Sequence, residues 1–289
     1  MPRERHNFKR LILGLQPSAS DRAMRFAVEM AELLDLDLLG LFLEDGSLRE
    51  LAGIPFAREF RPLGGGWQPF DLDRLAHDLE IAARGVERLF TSAVKDLARR
   101  SQFEVIRGPV REALISTSGT SDIVMIVEPA SAAERISAQF STLIEAAFRS
   151  AAAVLLVPPR IVRNAGPIVA IAMGPQDPSI DAAAAIAVAA KESLVLVEAD
   201  RQIREHPHIA QLAADTGLTV RHVAAAGLAI DPSVCLSALH PWRERLLVLA
   251  RPPSDGAIAS ALAAARQVPV LVIEPEIMPL GGSPSVRSG

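Results

Sequence analysis

The sequence predicts an α/β protein in which two parallel-sheet domains follow one another along the chain. Short apolar runs alternate with helical patterns, which is typical of parallel strands joined by crossover helices. The runs consist almost entirely of valine, isoleucine and leucine, as expected for strands that are buried on both faces. The whole pattern also occurs twice within 289 residues, a length sufficient for two domains that each bury a core.

Five strands are expected in each half of the chain. Those of the first half are Arg10–Leu15, Leu38–Leu43, Glu104–Arg107, Asp122–Val127 and Val154–Val157. Those of the second half are Ile168–Ala172, Leu194–Glu198, Thr219–Val223, Leu246–Ala250 and Val270–Ile273. Because the last strands of the two halves can be aligned directly, we interpret the pattern as an internal duplication of a whole domain.

Helical patterns occupy the intervals between the strands. The segment Asp21–Leu34 places apolar side chains at i, i+3, i+4, i+7 and i+10, which predicts an amphipathic helix. The segment Asp71–Arg100 predicts a long helix that is either continuous or bent at Gly85. A further helix is expected over Ile203–Asp215, with Gly217 near its C-terminal cap.

Proline and glycine mark the boundary between the halves. Residues 158–167 contain three prolines and one glycine, a composition that cannot continue a helix or a central strand and therefore predicts a linker. We expect one domain at residues 1–160 and a second at residues 166–276. The Gly/Ser/Pro-rich segment 277–289 is expected to be a disordered tail.

Only the first half has an insertion, at residues 45–70, between its second strand and its second helix. This segment contains four of the twelve aromatic residues of the chain, and alternating apolar and charged residues at 48–52 and 55–60 predict short amphipathic helices. Two interpretations are open. Phe56, Phe60 and Trp67 form an exposed docking surface for a protein partner, or they fold back as a lid over the crevice of the first domain. The burial of the three rings distinguishes these interpretations.

Composition argues against several classes of partner. The formal net charge of −4 gives no electrostatic reason to expect a nucleic acid or an anionic membrane. No apolar run is long enough to span a bilayer. The single cysteine, Cys235, cannot form an internal disulfide and lies in an apolar helical stretch. We therefore expect a buried thiol and a location in the reducing cytoplasm.

Several local strings, in their order and spacing, resemble the universal stress protein family over nearly the whole chain. They are residues 11–15 at the first strand, 107–115 at the start of the third helix, 121–125 at the fourth strand and 268–273 at the last strand. The resemblance implies two flavodoxin-like or Rossmann-like sheets of strand order 3-2-1-4-5, of the adenine nucleotide alpha hydrolase-like type. It also implies a ligand crevice beyond the carboxyl ends of strands one and four.

The ATP-binding members of that family carry a Gly-x2-Gly-x9-Gly-Ser/Thr loop after strand four, whose glycines allow backbone N–H groups to approach the phosphates. In the first half, the residues at those glycine positions and at the Asp that ends strand one are all different, and only the Ser is kept; the crevice positions are Gln16, Val127, Ala130, Phe140 and Ser141. In the second half the Asp position holds Met173, and Ala257 stands at the Ser/Thr position. The resemblance, with these departures, implies that neither half binds ATP in the family's usual way, and we expect no cofactor.

No pair of residues forms a recognisable catalytic constellation. His206 and His208 are interpreted as flanking a proline at a helix start rather than as metal ligands, and no metal site is predicted. Glu44 and Asp45, at the end of a strand facing the crevice, are expected to be solvated loop carboxylates, with a metal or acid–base role as the alternative.

The function expected from these observations is that of a non-enzymatic, stress-related regulatory or interaction protein with an unknown protein partner. The alternative is a small-molecule or nucleotide sensor with a rebuilt crevice, and an enzyme of the wider nucleotide-hydrolase-like fold is a more distant one. Family domains commonly dimerise through their last strands. We therefore expect Val154–Val157 and Val270–Ile273 to pair antiparallel within one chain as an intramolecular pseudo-dimer. A homodimer of the whole chain is a further option.

Overall fold

The computed structural model describes residues 8–15, 21–45, 54, 58–61, 66–129, 131, 138–151, 153–174, 176–198, 207–225, 232–251 and 257–274. The strands in these ranges are β1 (Arg10–Leu15), β2 (Asp37–Asp45), β3 (Arg58–Arg61), β4 (Gly66–Pro69), β5 (Ser101–Gly108), β6 (Asp122–Val127), β7 (Ala153–Val157), β8 (Ile168–Ala172), β9 (Leu194–Glu198), β10 (Val220–Ala224), β11 (Leu246–Ala250) and β12 (Val270–Ile273). The helices are α1 (Asp21–Leu34), α2 (Leu72–Ala93), α3 (Val110–Thr117), α4 (Ala138–Ser150), α5 (Pro178–Ala190), α6 (Pro207–Thr216), α7 (Pro232–Leu239) and α8 (Ala257–Arg266).

Ten of the strands form one continuous sheet in the order β10-β9-β8-β11-β12-β7-β6-β1-β2-β5. The expectation of two separate sheets is therefore corrected. The order 3-2-1-4-5 describes the five neighbouring strands contributed by each half to this one sheet. Within each half all strands are parallel, while β3 and β4 form a separate antiparallel hairpin.

The two halves meet where β7 pairs antiparallel with β12. Val270 lies opposite Leu156, Leu271 opposite Leu155, and the pairing continues to Ile273 and Ala153. All residues of both strands are buried. The predicted antiparallel pairing of these two strands is present, and it covers two apolar edges that would otherwise be open to association with other chains.

Helices cover both faces of the sheet because each strand directs alternate residues to opposite sides. On one face α1, α2, α5 and α6 enclose a core that contains Leu11, Leu13 and Leu196. On the other face α3, α4, α7 and α8 enclose a core that contains Ile12, Val124 and Val272. None of the helices in the described ranges is long and apolar enough to cross a membrane.

The linker between the halves is fixed by hydrogen bonds to the second half. The backbone N–H of Val162 donates to the carbonyl oxygen of Gln267 at 3.1 Å, and that of Gly166 donates to Glu192 at 3.0 Å. Gly166 has φ of 128°, and a Cβ at this position would lie 2.2 Å from the carbonyl oxygen of Arg243. Glycine is therefore required where the linker passes closest to the second half.

Several predicted boundaries need correction. The long helix runs without a break through Gly85 and ends at Ala93 rather than Arg100, because Val94 caps it. Residues 58–60, expected to be helical, belong to the hairpin strand β3. The segment 48–52, the start of the predicted helix at Ile203 and the predicted tail 277–289 lie outside the described residues.

A buried ion pair connects the linker, the start of β11 and α8. The side chain of Glu244 is completely buried and accepts hydrogen bonds from Arg266 Nε at 2.7 Å and from Arg266 Nη2 at 2.8 Å. Arg163 of the linker lies 3.4 Å from the same carboxylate. Hydrogen bonding to Glu244 raises the pKa of Arg266 above its ordinary value, so the guanidinium stays charged.

We expect Glu244→Ala to lower the free energy of unfolding by about 3–5 kcal/mol, because it leaves Arg266 without its buried counter-ion. Glu80→Ala is the matched control, since Glu80 pairs with Arg84 on the exposed face of α2, and its effect should stay within about 0.5 kcal/mol. Urea denaturation of both variants measures the difference. Equal destabilisation by the two substitutions would contradict this assignment.

Candidate functional site

The candidate site lies at the carboxyl ends of the strands, at the point where the strand order reverses. In the first half this point lies between β1 and β6, and in the second half between β8 and β11. Sheets of this type bind ligands at such positions. The residues that follow β6 and β11 therefore decide what each crevice can accept.

In the first half, the residues that end β6 make internal contacts. Val127 is half-buried and lines a cavity of only about 10 Å³, together with residues of α1 and of the segment after β7. This volume holds no more than about one water molecule. Phe140 is buried in the core on the α4 face, whereas Ser141 is exposed. Gln16 and Ala130 lie outside the described residues.

The residues directly after the fourth strand of each half contact the opposite half. Glu128 follows β6, is 2% exposed and accepts a hydrogen bond from Ser260 Oγ of α8. Arg251 follows β11 and donates to the carbonyl oxygen of Phe148 at 2.8 Å, with its guanidinium 5.1 Å from the centre of the Phe148 ring. Arg251 also pairs with Glu274 at 2.8 Å. The positions that follow the fourth strand of each half are therefore used to join the halves.

The N-terminus of α5 is already occupied by a carboxylate of the chain. Asp177 accepts hydrogen bonds from the backbone N–H of Met173 at 2.8 Å and from that of Ser179 at 2.9 Å. Helix N-termini attract anions because their backbone N–H groups are free. In the second half the aspartate takes that place, and a phosphate there would meet a negative charge.

A buried glutamate lies near the end of the second strand in both halves. Glu44 of β2 is 4% exposed and lies 3.0 Å from Arg107 Nε of β5, so the expectation of a solvated loop carboxylate is wrong for Glu44. Asp45 belongs to β2 by its backbone. Glu198 of β9 is completely buried, and its Oε1 lies 2.6 Å from Nδ1 of His222 on β10. The expectations from sequence missed Glu198 and His222, although a glutamate ending an apolar strand was a visible signal.

The insertion presents two aromatic rings to solvent. Phe60 of β3 and Trp67 of β4 lie directly opposite each other, with ring centres 5.5 Å apart. Phe60 is 58% exposed and Trp67 is 62% exposed. Since the lid interpretation requires both rings to be buried, it fails for these two residues. Phe56 lies outside the described residues, while Ile54 is exposed.

The other residues considered as a nucleophile or as metal ligands do not lie together in one site within the described part of the chain. Cys235 is buried in the core on the α7 face, as predicted. His208, at the start of α6, lies 3.9 Å from Asp181. Within the described ranges, the structure contains no group of three or more His, Cys, Asp or Glu side chains arranged to hold a metal ion.

Comparison with known proteins gives a likeness of fold. No protein-family model matches the chain, and no curated protein matches its sequence. Among solved structures, the chain is similar to a universal stress protein from Archaeoglobus fulgidus DSM 4304, with a TM-score of 0.62 and 14% sequence identity. The match covers 91% of this chain and 96% of that protein. At this identity the likeness shows the fold and leaves function to be argued from the residues.

The contact of Glu128 with Ser260 is testable by a double-mutant cycle. We expect Glu128→Ala and Ser260→Ala to be non-additive by about 0.5–3 kcal/mol in the free energy of unfolding, because each removes the same hydrogen bond between the halves. Ser237→Ala, on an exposed part of α7, should combine with Glu128→Ala additively within about 0.5 kcal/mol. Additivity of the first pair would show that the two side chains do not interact.

Proposed function

We propose that this chain is a non-enzymatic, stress-related interaction protein that binds a protein partner through the β3–β4 hairpin and does not bind ATP in the manner of nucleotide-binding universal stress proteins. The observation that carries the proposal is the exposed pair of Phe60 and Trp67. The fold is of a type whose ligands usually bind in the crevice at the carboxyl ends of the strands.

The contacts around the crevices support the absence of ATP binding. In the first half, Glu128 places a carboxylate directly after β6 and bonds to α8. In the second half, Asp177 occupies the N-terminus of α5. A triphosphate carries several negative charges, so each carboxylate opposes its approach. The replaced loop glycines add a steric obstacle, because side chains at those positions keep backbone N–H groups away from the phosphates.

The hairpin has the properties of a binding surface. Tryptophan and arginine are among the residues that contribute most to the energy of protein interfaces, and phenylalanine is enriched in them. Arg58 stands at the start of β3 with its guanidinium 3.4 Å from the carbonyl oxygen of Trp67. The second half folds without such a segment, which supports a role outside folding. Two large exposed rings in contact also form an apolar patch of the kind that marks interaction sites.

The alternative is a small-molecule sensor with a rebuilt crevice. One observation favours it: the buried Glu198 at the carboxyl end of β9, where ligands bind in sheets of this type, pairs with the partly exposed His222 of β10. A second copy of this chain is a further candidate for the partner of the hairpin.

ATP binding is tested by calorimetric titration together with thermal unfolding. We expect no saturable heat, and no rise in melting temperature at about 1 mM ATP. A ligand present at about 100 times its dissociation constant stabilises the folded state by about 2.7 kcal/mol, a readily visible shift. A micromolar dissociation constant for ATP would overturn this part of the proposal.

Partner binding is tested by placing a photo-reactive phenylalanine analogue at position 60 in cells. We expect a defined cross-linked adduct with another protein. The same analogue at Ile115, which is 45% exposed on α3, should give none. Adding Trp67→Ala should reduce the adduct at least fivefold without lowering the melting temperature, because an exposed ring contributes little to folding.

Three outcomes would defeat the hairpin as a docking site. They are equal adducts at positions 60 and 115, no adduct at either, and an adduct unaffected by Trp67→Ala. An adduct of twice the mass of the chain identifies the partner as a second copy.

A further inference from the structure

Each half has a buried glutamate near the end of its second strand, but the residue opposite that glutamate differs between the halves. Glu44 lies directly opposite Arg107 in the register of β2 and β5, and the two side chains form an ion pair. Glu198 lies directly opposite Ala224 in the register of β9 and β10. The first half therefore supplies a guanidinium to its glutamate from the neighbouring edge strand, whereas the second half has only a methyl group there.

This difference leaves half of the Glu198 carboxylate unsatisfied. Its Oε1 is bonded to His222, but its Oε2 is buried and has no hydrogen-bond partner among the described residues. A buried carboxylate oxygen without a donor is costly, and such atoms in native proteins call for an explanation. Glu198 Oε2 is therefore a hydrogen-bond acceptor at the ligand-binding end of the sheet.

We propose that Glu198 and His222 form a binding site for a guanidinium group supplied from outside the chain. A guanidinium presents a planar fork of N–H donors that matches carboxylate oxygens, and its hydrogen bonds to a carboxylate are charge-assisted. Arg107 provides this group beside Glu44 within the same fold. A metal ion is a poorer match, because the described residues place no third ligand beside the pair.

The position of the site is consistent with an external ligand. Ala224 is exposed on the edge strand β10, and residues opposite in register direct their side chains to the same face of the sheet. His222 has 28% of its side chain exposed, so the pair borders solvent on the side of β10. The Glu198–His222 site is separate from the β3–β4 hairpin, and guanidinium binding there does not depend on whether the hairpin binds a partner.

The test uses calorimetric titration of the full chain with agmatine, a small guanidinium compound without a carboxylate. We expect saturable binding, at least tenfold weaker binding to Glu198→Gln, and unchanged binding to the control Glu44→Gln. Putrescine, which carries ammonium groups only, should bind at least tenfold more weakly than agmatine. A Gly-Arg-Gly peptide with blocked ends forms the second arm. Tighter binding of the peptide than of agmatine assigns the guanidinium to an arginine side chain of a partner.

A second variant keeps the proposal testable if Glu198→Gln fails to fold. Ala224→Arg places a guanidinium opposite Glu198, as Arg107 lies opposite Glu44. It should raise the melting temperature and abolish agmatine binding, whereas Ala224→Gln should do neither. Absence of agmatine and peptide binding to the wild-type chain overturns the proposal. Equal binding to Glu198→Gln, or agmatine binding that survives Ala224→Arg, overturns it as well.

Discussion

The antiparallel pairing of β7 with β12 is the interaction on which the rest of the structure depends. Both strands are completely buried, and their pairing turns two parallel sets of five strands into one sheet. Main-chain hydrogen bonds fix the register, and burial of apolar side chains on both faces stabilises it. The ion pair between Arg245 and Glu29 and the bond between Ser260 and Glu128 form because this pairing brings helices of one half beside strands of the other.

The same pairing explains how polar residues near the crevices are used. Glu128 and Arg251 each follow the fourth strand of their half, and each reaches into the other half, one as an acceptor and one as a donor. Both positions are therefore used to join the halves.

Much of the fold could be predicted from the sequence, because uninterrupted apolar runs such as Ile168–Ala172 are typical of strands that are buried on both faces of a parallel sheet. The hairpin could not be predicted, since four residues with one apolar side chain among three charged ones, as in Arg58–Arg61, fit a short strand as well as a helical turn. The burial of Glu44 depends on Arg107, 63 residues away, and that distance hides the pair from local patterns. Around the crevices, the sequence showed which residues follow β6 and β11 but not that Glu128 and Arg251 contact the opposite half.

Because β7 and β12 pair antiparallel, the strands of the first half run opposite to the strands of the second half. Strands of the first half end at one border of the sheet and strands of the second half end at the opposite border, separated by the length of a strand, about 17 Å for five residues. Glu44 of β2 and Glu198 at the end of β9 therefore lie at opposite borders of the sheet. A small ligand beside one of these glutamates could not reach the other, because seven strand spacings of about 4.8 Å also separate β9 from β2.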